Sequence, residues 1–356
     1  MINVTQTYLP PLEEYTAKLK QLWESRWVTN NGALLLELEK AIKEYTHFNN
    51  FLYCNNGTIV LQMAIKALKL KGKVITTPFS YVATTNSLLW ENIEPVFVDI
   101  NENDCCINTD QIEKAIAPDV TGILATHVYG LPCNTKKIAE IAKKHSLKII
   151  YDGAHAFGAK LDGKSLMSFG DVTTTSFHAT KLFHTVEGGG IFTSDDGLHK
   201  KISLYRQFGH VYDDYLDIGI NAKASEFHAA MGVCLLPKLD KMIAKRKEVC
   251  SLYDKNLSLL PIRKPVSKLD HQSNYSYYPV IFETEEQLLK TNKALKEANI
   301  NARRYFWPSL NELKFIKYQK CEISESISRR VLCLPLFYEI TKEQVELICN
   351  TVNKSF

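Results

Sequence analysis

What this 356-residue sequence lacks narrows its class before any motif is considered. None of its nine cysteines falls in a C-x-x-C pair, and an odd, scattered set offers neither a zinc ribbon nor a disulfide framework. That usage points to a reducing compartment, the cytoplasm. Uncharged apolar runs approaching the roughly 20 residues of a membrane span are missing. The opening MINVTQTYLPPLEEY has neither the basic stretch nor the apolar core of a signal peptide. No membrane association is therefore expected. An excess of one charge is missing too, since 43 basic against 39 acidic residues leave a net charge of +4. Such a balance gives no reason to expect nucleic acid, although it does not oppose an anionic ligand. Internal repeats and low-complexity linkers are also absent.

What is present is an ordinary globular composition, 45% hydrophobic and 23% charged, over a length that fits one large domain and one smaller one. Leu12, Tyr15, Leu19 and Leu22 recur at helical spacing, as do Leu34, Leu35, Leu38, Ile42 and Tyr45. From residue 51 to 193, short apolar runs alternate with amphipathic helical stretches. Strands are expected at 51–54, 73–77, 95–99, 122–128, 148–151, 172–177 and 191–193, with helices after 58 and at 83–92, 112–116 and 138–145. This alternation predicts an α/β fold with a mainly parallel central sheet covered on both faces. Residues 208–220 read as an irregular loop. Helices follow at 226–236 and 239–257, the second leading into a smaller α+β domain with a strand at 277–282 and helices at 285–298 and 342–352. The expected division is 1–238 for the large domain and 239–356 for the small one.

Ligands of such sheets gather beyond the carboxyl ends of the strands. Two of those ends stand out. Asp152 closes the apolar run 148–151, and Lys181 follows the run 172–177 just ahead of the glycines of VEGGG. An aspartate and a lysine on neighbouring strand ends suit pyridoxal phosphate, because a lysine amine condenses with the cofactor aldehyde and a carboxylate holds the pyridine nitrogen protonated. A third junction, Asn55-Asn56-Gly57-Thr58, leads from a strand into a helix. Free backbone N–H groups and the helix dipole make such a turn an anion site, and the Thr58 hydroxyl adds a donor. Polar strand-turn-helix junctions are common, so this one gains meaning only beside Asp152 and Lys181.

Taken in order, RWVTNNG, NNGT, TPFSYVATTN, PVFVDI, THVYGLP, DGAHAFGA, SFHATKLFHTVEGG, GINAKASEFHAA and VLCLPLF run through nearly the whole chain. The sequence resembles the DegT/DnrJ/EryC1/StrS sugar aminotransferases, and SFHATK with VEGG is similar to the members that aminate carbon 4. The resemblance implies an aspartate-aminotransferase-like fold of type I, with pyridoxal 5'-phosphate as cofactor. It implies Lys181 as the covalent lysine and proton-shift base, Asp152 on the pyridine nitrogen, His155 near the ring and Tyr81 stacked on one ring face. Gly57, Thr58, Ser176 and Asn221 would hold the phosphate, Asn221 of G-x-N arriving from the neighbouring subunit of a homodimer. His178, Glu187 and Tyr305 would face the sugar. The implied reaction carries an amino group from L-glutamate to a nucleotide-linked ketosugar, with dTDP-4-keto-6-deoxyglucose the first acceptor and surface polysaccharide synthesis the setting.

Two positions depart from the family pattern. Asn56 stands where serine is usual before Gly-Thr, and Lys223-Ala224 replaces the usual Arg-Met after the asparagine. Lysine keeps the charge and loses the planar fork. Three other readings stay open on sequence alone. Amination could fall on carbon 3; a sugar dehydratase could use the same cofactor, although Lys181 occupies the position that such enzymes give to histidine; and a silent sugar-nucleotide binder or regulator could keep the fold.

Overall fold

Adjacent residues of a strand face opposite sides, so a strand covered on both faces must be apolar at every position. The runs Val74-Ile75, Ile123-Leu124 and Ile149-Ile150 meet that condition. In the computed structural model, which describes residues 1–356, they form the middle of a seven-stranded sheet. Its strands are β1 (Phe51–Cys54), β2 (Lys73–Thr76), β3 (Glu94–Phe97), β4 (Val120–Thr126), β5 (Lys148–Asp152), β6 (Val172–Ser176) and β7 (Gly189–Phe192). Their order is β1-β7-β6-β5-β4-β2-β3. All neighbours are parallel except β7, which runs against both β1 and β6.

Helices cover both faces. The first of the chain are α1 (Leu12–Ser25), α2 (Ala33–Thr46), α3 (Gly57–Ala67), α4 (Val82–Trp90) and α5 (Thr135–His145). Ile75, Ile123, Ile149 and Tyr151 pack with Ile138 and Ile141 of α5. Val74, Leu124, Ile150 and Val172 face the other way, onto Val60, Leu61, Met63 and Ala64 of α3. Burying each such aliphatic side chain contributes about 1.5–3 kcal/mol. Register then aligns the polar residues that end the strands, pairing Thr126 with Asp152 and Asp152 with Thr174. The carboxyl edge of the sheet is thereby lined with hydroxyls and one carboxylate.

Beyond the sheet come α6 (Asp196–Arg206), the short hairpin β8 (His210–Val211) and β9 (Asp214–Tyr215), α7 (Glu226–Leu235) and α8 (Leu239–Asn256). The strand β1 is tied to this layer by a buried ion pair. Arg206 Nη1 donates to Glu39 Oε1 at 2.6 Å and to the Tyr53 carbonyl at 2.8 Å, while the same Glu39 oxygen accepts the Tyr53 N–H at 2.8 Å. A second antiparallel sheet, β10 (Ile262–Arg263), β11 (Tyr278–Phe282) and β12 (Val331–Leu334), follows in the order β10-β11-β12. It packs with α8, α9 (Glu285–Glu297) and α11 (Lys342–Ser355) around Tyr253, Leu288, Leu295, Val345 and Ile348. Between them lies α10 (Glu322–Arg330).

The structure differs from expectation in three places. Residues 208–220 hold the β8–β9 hairpin rather than a wholly irregular loop. The expected helix at 112–116 is a single turn, Thr109–Ile112, that tightens into a 3-10 turn at Glu113–Ala115. Helix α10 and strand β12 are additions to the expected elements; the apolar VLCLPLF that supplies β12 lacks alternation and reads equally as strand or helix. No helix is long and apolar enough to cross a membrane.

Candidate active site

A cavity of about 350 Å³ opens at the carboxyl edge of the sheet, with both Asp152 and Lys181 in its wall. Asp152 is the last residue of β5 and only 5% exposed. Its Oδ1 accepts the Ala154 N–H at 3.0 Å and its Oδ2 accepts the Thr84 hydroxyl at 2.6 Å. Thr84 has spent its proton on the carboxylate, so Ser80 donates to Thr84 at 2.7 Å, and Thr126 donates to Ser80 at 3.1 Å. This directed chain of three buried hydroxyls fixes the rotamer of Asp152. Sequence reading missed it, since three scattered hydroxyl residues carry no local signal.

Lys181 sits in a turn that leaves β6. The turn is closed by Phe177 N–H to the Gly188 carbonyl at 2.8 Å, Ala179 to Val186 at 2.7 Å and Lys181 to His178 at 2.8 Å. The lysine Nζ donates to the Tyr277 hydroxyl at 3.5 Å. Enclosure of the amine lowers its pKa, and the Asp152 carboxylate offsets part of that shift. The neutral amine is therefore reached at lower pH than in a solvated lysine. Tyr277, ahead of β11, was not foreseen as a site residue.

Opposite, the start of α3 is pressed against the end of β6. A Cβ at Gly57 would lie 2.8 Å from Cβ of Ser176, and one at Gly189 would lie 2.3 Å from the Asn56 carbonyl. Only glycine at these two points lets the Asn56-Gly57 turn approach the strand end. Asn56 caps the helix, its Oδ1 accepting from Thr58 N at 3.0 Å and Ile59 N at 2.8 Å. The Thr58 amide is thus engaged by Asn56, and the Thr58 and Ser176 hydroxyls remain as donors beside Gly57.

His155 is 3% exposed and stacks on Phe306 with centroids 5.4 Å apart. Its Nδ1 accepts the Tyr129 N–H at 3.3 Å, which leaves the ring proton on Nε2. Burial, with Lys181 nearby, holds its pKa well below the usual range, so the imidazole is neutral. Around it, Asn274 donates to the carbonyls of His155 at 2.8 Å and Phe157 at 2.9 Å, and the Ser276 hydroxyl to that of His155 at 2.7 Å. The segment before β11 therefore clasps the DGAHAFGA loop.

Of the residues expected at the site, Gly57, Thr58, Tyr81, Asp152, His155, Ser176, His178, Lys181, Glu187 and Tyr305 all line this cavity. Tyr81 is 60% exposed at its mouth. His178 Nε2 stands 3.5 Å from Glu187 Oε1, and Tyr305 meets Tyr277 edge-on at 5.7 Å. Asn221 does not line the cavity of its own chain; its carbonyl accepts from Asn55 Nδ2 at 3.4 Å. Thr5, Arg303 and Phe306 line it without having been anticipated. A hollow of about 480 Å³ at the opposite strand ends holds the Lys148–Asp171 ion pair but no comparable gathering of reactive groups.

The model of the DegT/DnrJ/EryC1/StrS aminotransferase family matches residues 12–353. The chain belongs to this family. It is 38% identical to a dTDP-4-amino-4,6-dideoxy-D-glucose transaminase of Shigella dysenteriae, over 99% of this chain and 98% of that protein. A transaminase of the same name from Escherichia coli is 35% identical, over 97% and 96% of the two chains. Among solved structures, DesI in the presence of its TDP-sugar product superposes with a TM-score of 0.93 at 27% identity, covering 99% of this chain and 92% of that one. The expected fold and family are both found.

Proposed function

We propose that this aminotransferase uses pyridoxal 5'-phosphate to move an amino group from L-glutamate to the keto carbon of a nucleotide-linked deoxysugar, dTDP-4-keto-6-deoxyglucose first. The observation that carries this reading is the shared cavity, in which a fixed Asp152 carboxylate and the enclosed Lys181 amine are walled by the Gly57, Thr58 and Ser176 cradle. These residues fit the cofactor: Asp152 for the pyridine nitrogen, the cradle for the phosphate, Tyr81 and His155 for the ring. When bound, the cofactor supplies an electron sink and carries the amino group between donor and acceptor.

The residues of the chain supply the rest. Lys181, whose enclosure lowers the pH at which its amine is neutral, takes a proton from the amino-acid carbon and returns it one position away. Tyr277 accepts a hydrogen bond from that amine and keeps it within the cavity. A neutral His155 adds no second positive charge beside Lys181. A homodimer in which Asn221 of one subunit completes the cradle of the other is part of the proposal, as are a division at residues 238 and 239 and a cytoplasmic setting. Nine free, buried cysteines agree with that setting. The identity shared with the two dideoxyglucose transaminases supports carbon 4 as the aminated position.

The deciding experiment incubates purified protein with glutamate and a panel of nucleotide ketosugars, and locates nitrogen in the product by NMR. Nitrogen on carbon 4 of the dTDP sugar is expected. Nitrogen on carbon 3 would reassign the substrate, and loss of a sugar hydroxyl without amination would make the protein a dehydratase. A protein that stays colourless after addition of pyridoxal phosphate would be a binder. Lys181→Ala is expected to abolish both turnover and the visible absorbance of the bound cofactor; retained catalysis would end the assignment.

A further inference from the structure

Arg303 and Arg304 are adjacent in sequence and opposite in use. Arg304 is committed to the fold, its Nη2 donating to Glu285 Oε1 at 2.8 Å and to the Arg329 carbonyl at 2.9 Å, with its guanidinium 4.5 Å from the Trp307 ring. Arg303 is held by its backbone alone. Its N–H donates to the Cys333 carbonyl at 3.2 Å and its carbonyl accepts the Cys333 N–H at 2.8 Å. Its guanidinium is exposed, lies 5.5 Å from the Tyr305 ring and makes no hydrogen bond or ion pair within the chain. It is the one arginine lining the cavity. Glu187, the acidic group at the exposed part of the lining, is engaged with His178 at 3.5 Å.

Resting on the function proposed above, we propose that Arg303 anchors the diphosphate of the acceptor at the cavity mouth while the keto carbon lies against Lys181. The depth of the two cations decides which substrate anion this is. Asp152 and the Lys181 amine are enclosed, whereas Arg303 is exposed with the Tyr305 ring beside it. The α-carboxylate of an amino acid is bonded to the carbon that carries the reacting nitrogen, which places it on the floor. The diphosphate of a nucleotide sugar is attached across the ring from carbon 4, and so reaches the rim. Five N–H donors in a planar fork suit phosphate oxygens, and a clamped backbone limits the freedom lost on binding.

The test titrates dTDP and thymidine, with UDP and GDP in parallel, into the cofactor-loaded enzyme by calorimetry, comparing the wild type with Arg303→Gln and Arg303→Lys. Removing a charge-assisted contact is expected to weaken dTDP about ten- to hundredfold, to leave thymidine unchanged, and to be partly restored by lysine. The bleaching of cofactor absorbance by glutamate should keep its wild-type rate in Arg303→Gln. A melting midpoint close to that of the wild type is expected too, since the exposed side chain makes no hydrogen bond or ion pair in the fold. Equal nucleoside diphosphate affinity in wild type and Arg303→Gln would overturn the proposal. A slowed glutamate step with dTDP binding intact would also overturn it, by assigning the arginine to the donor. Failure of glutamate to bleach the wild-type enzyme would instead refute the aminotransferase reading, and the diphosphate comparison would still decide the role of Arg303.

Discussion

At the scale of single residues, enclosure lowers the pKa of two basic side chains of the site, Lys181 and His155. In cofactor-free enzyme, Lys181 should acylate with acetic anhydride at lower pH than the surface lysines, as read by peptide mass spectrometry, because only the neutral amine reacts. Asp152 raises the pKa of that lysine, so Asp152→Asn should move the profile lower still. A shift upward would contradict the electrostatic reading. His155 is subject to the same force with a different consequence. Its folded pKa is depressed, so below the ordinary value of about 6.5 the unfolded chain takes up a proton that the fold refuses. Stability contributed by the neutral ring is complete above that value and falls as the pH drops through it, by up to about 1.4 kcal/mol per pH unit. Urea midpoints measured between neutral and mildly acidic pH should therefore slope less steeply in His155→Asn than in the parent. An identical slope would mean that His155 does not resist protonation.

At the scale of elements, β1 deserves a quantitative test, because it delivers the Asn56-Gly57 turn and is held on one side by Glu39 and Arg206. Glu39→Ala strands a guanidinium whose side chain is 5% exposed and should cost about 3–5 kcal/mol. The paired replacement Glu39→Leu with Arg206→Met removes both charges and should cost much less, so urea denaturation of the cycle should be strongly non-additive. The same elements show what the sequence made legible. The central strands were readable because a strand covered on both faces must be apolar throughout, and the reactive Asp152 and Lys181 were readable because such sheets expose their ends. The hydroxyl chain through Thr126, Ser80 and Thr84 was not, since its members come from the end of β4, the turn after β2 and the first turn of α4, and only the packing of these segments brings them together. Tyr277, Arg303 and Phe306 were likewise hidden, because only the packing of the second sheet against the first brings them to a cavity whose other walls lie far earlier in the chain. The Asn56 cap shows the converse: its sequence position was seen as a departure, and the structure explains it as an oxygen that satisfies two helix-end amides.

At the scale of the whole molecule, the remaining gap in the site is Asn221. It stands exposed just beyond the β8–β9 hairpin and outside the cavity of its own chain, while Tyr212, Tyr215, Leu216 and Ile218 project apolar surface from the same segment. Exposed apolar residues in such a run suit contact with another subunit. If Asn221 completes the partner's cradle, then Lys181→Ala and Asn221→Ala damage different parts of a shared site. Each homodimer alone should be severely impaired. After the two are mixed, unfolded and refolded together, half of the dimers should be mixed, and each mixed dimer should carry one site with both lesions and one with neither. Activity should then recover to about a quarter of the wild-type rate, the fraction expected for random pairing in a symmetric dimer. If Asn221 instead serves its own chain, every site in the mixture carries one lesion and no recovery occurs. Measuring turnover before and after mixing, with sedimentation to establish the dimer, separates the two architectures without needing to know which sugar the enzyme prefers beyond one that it turns over.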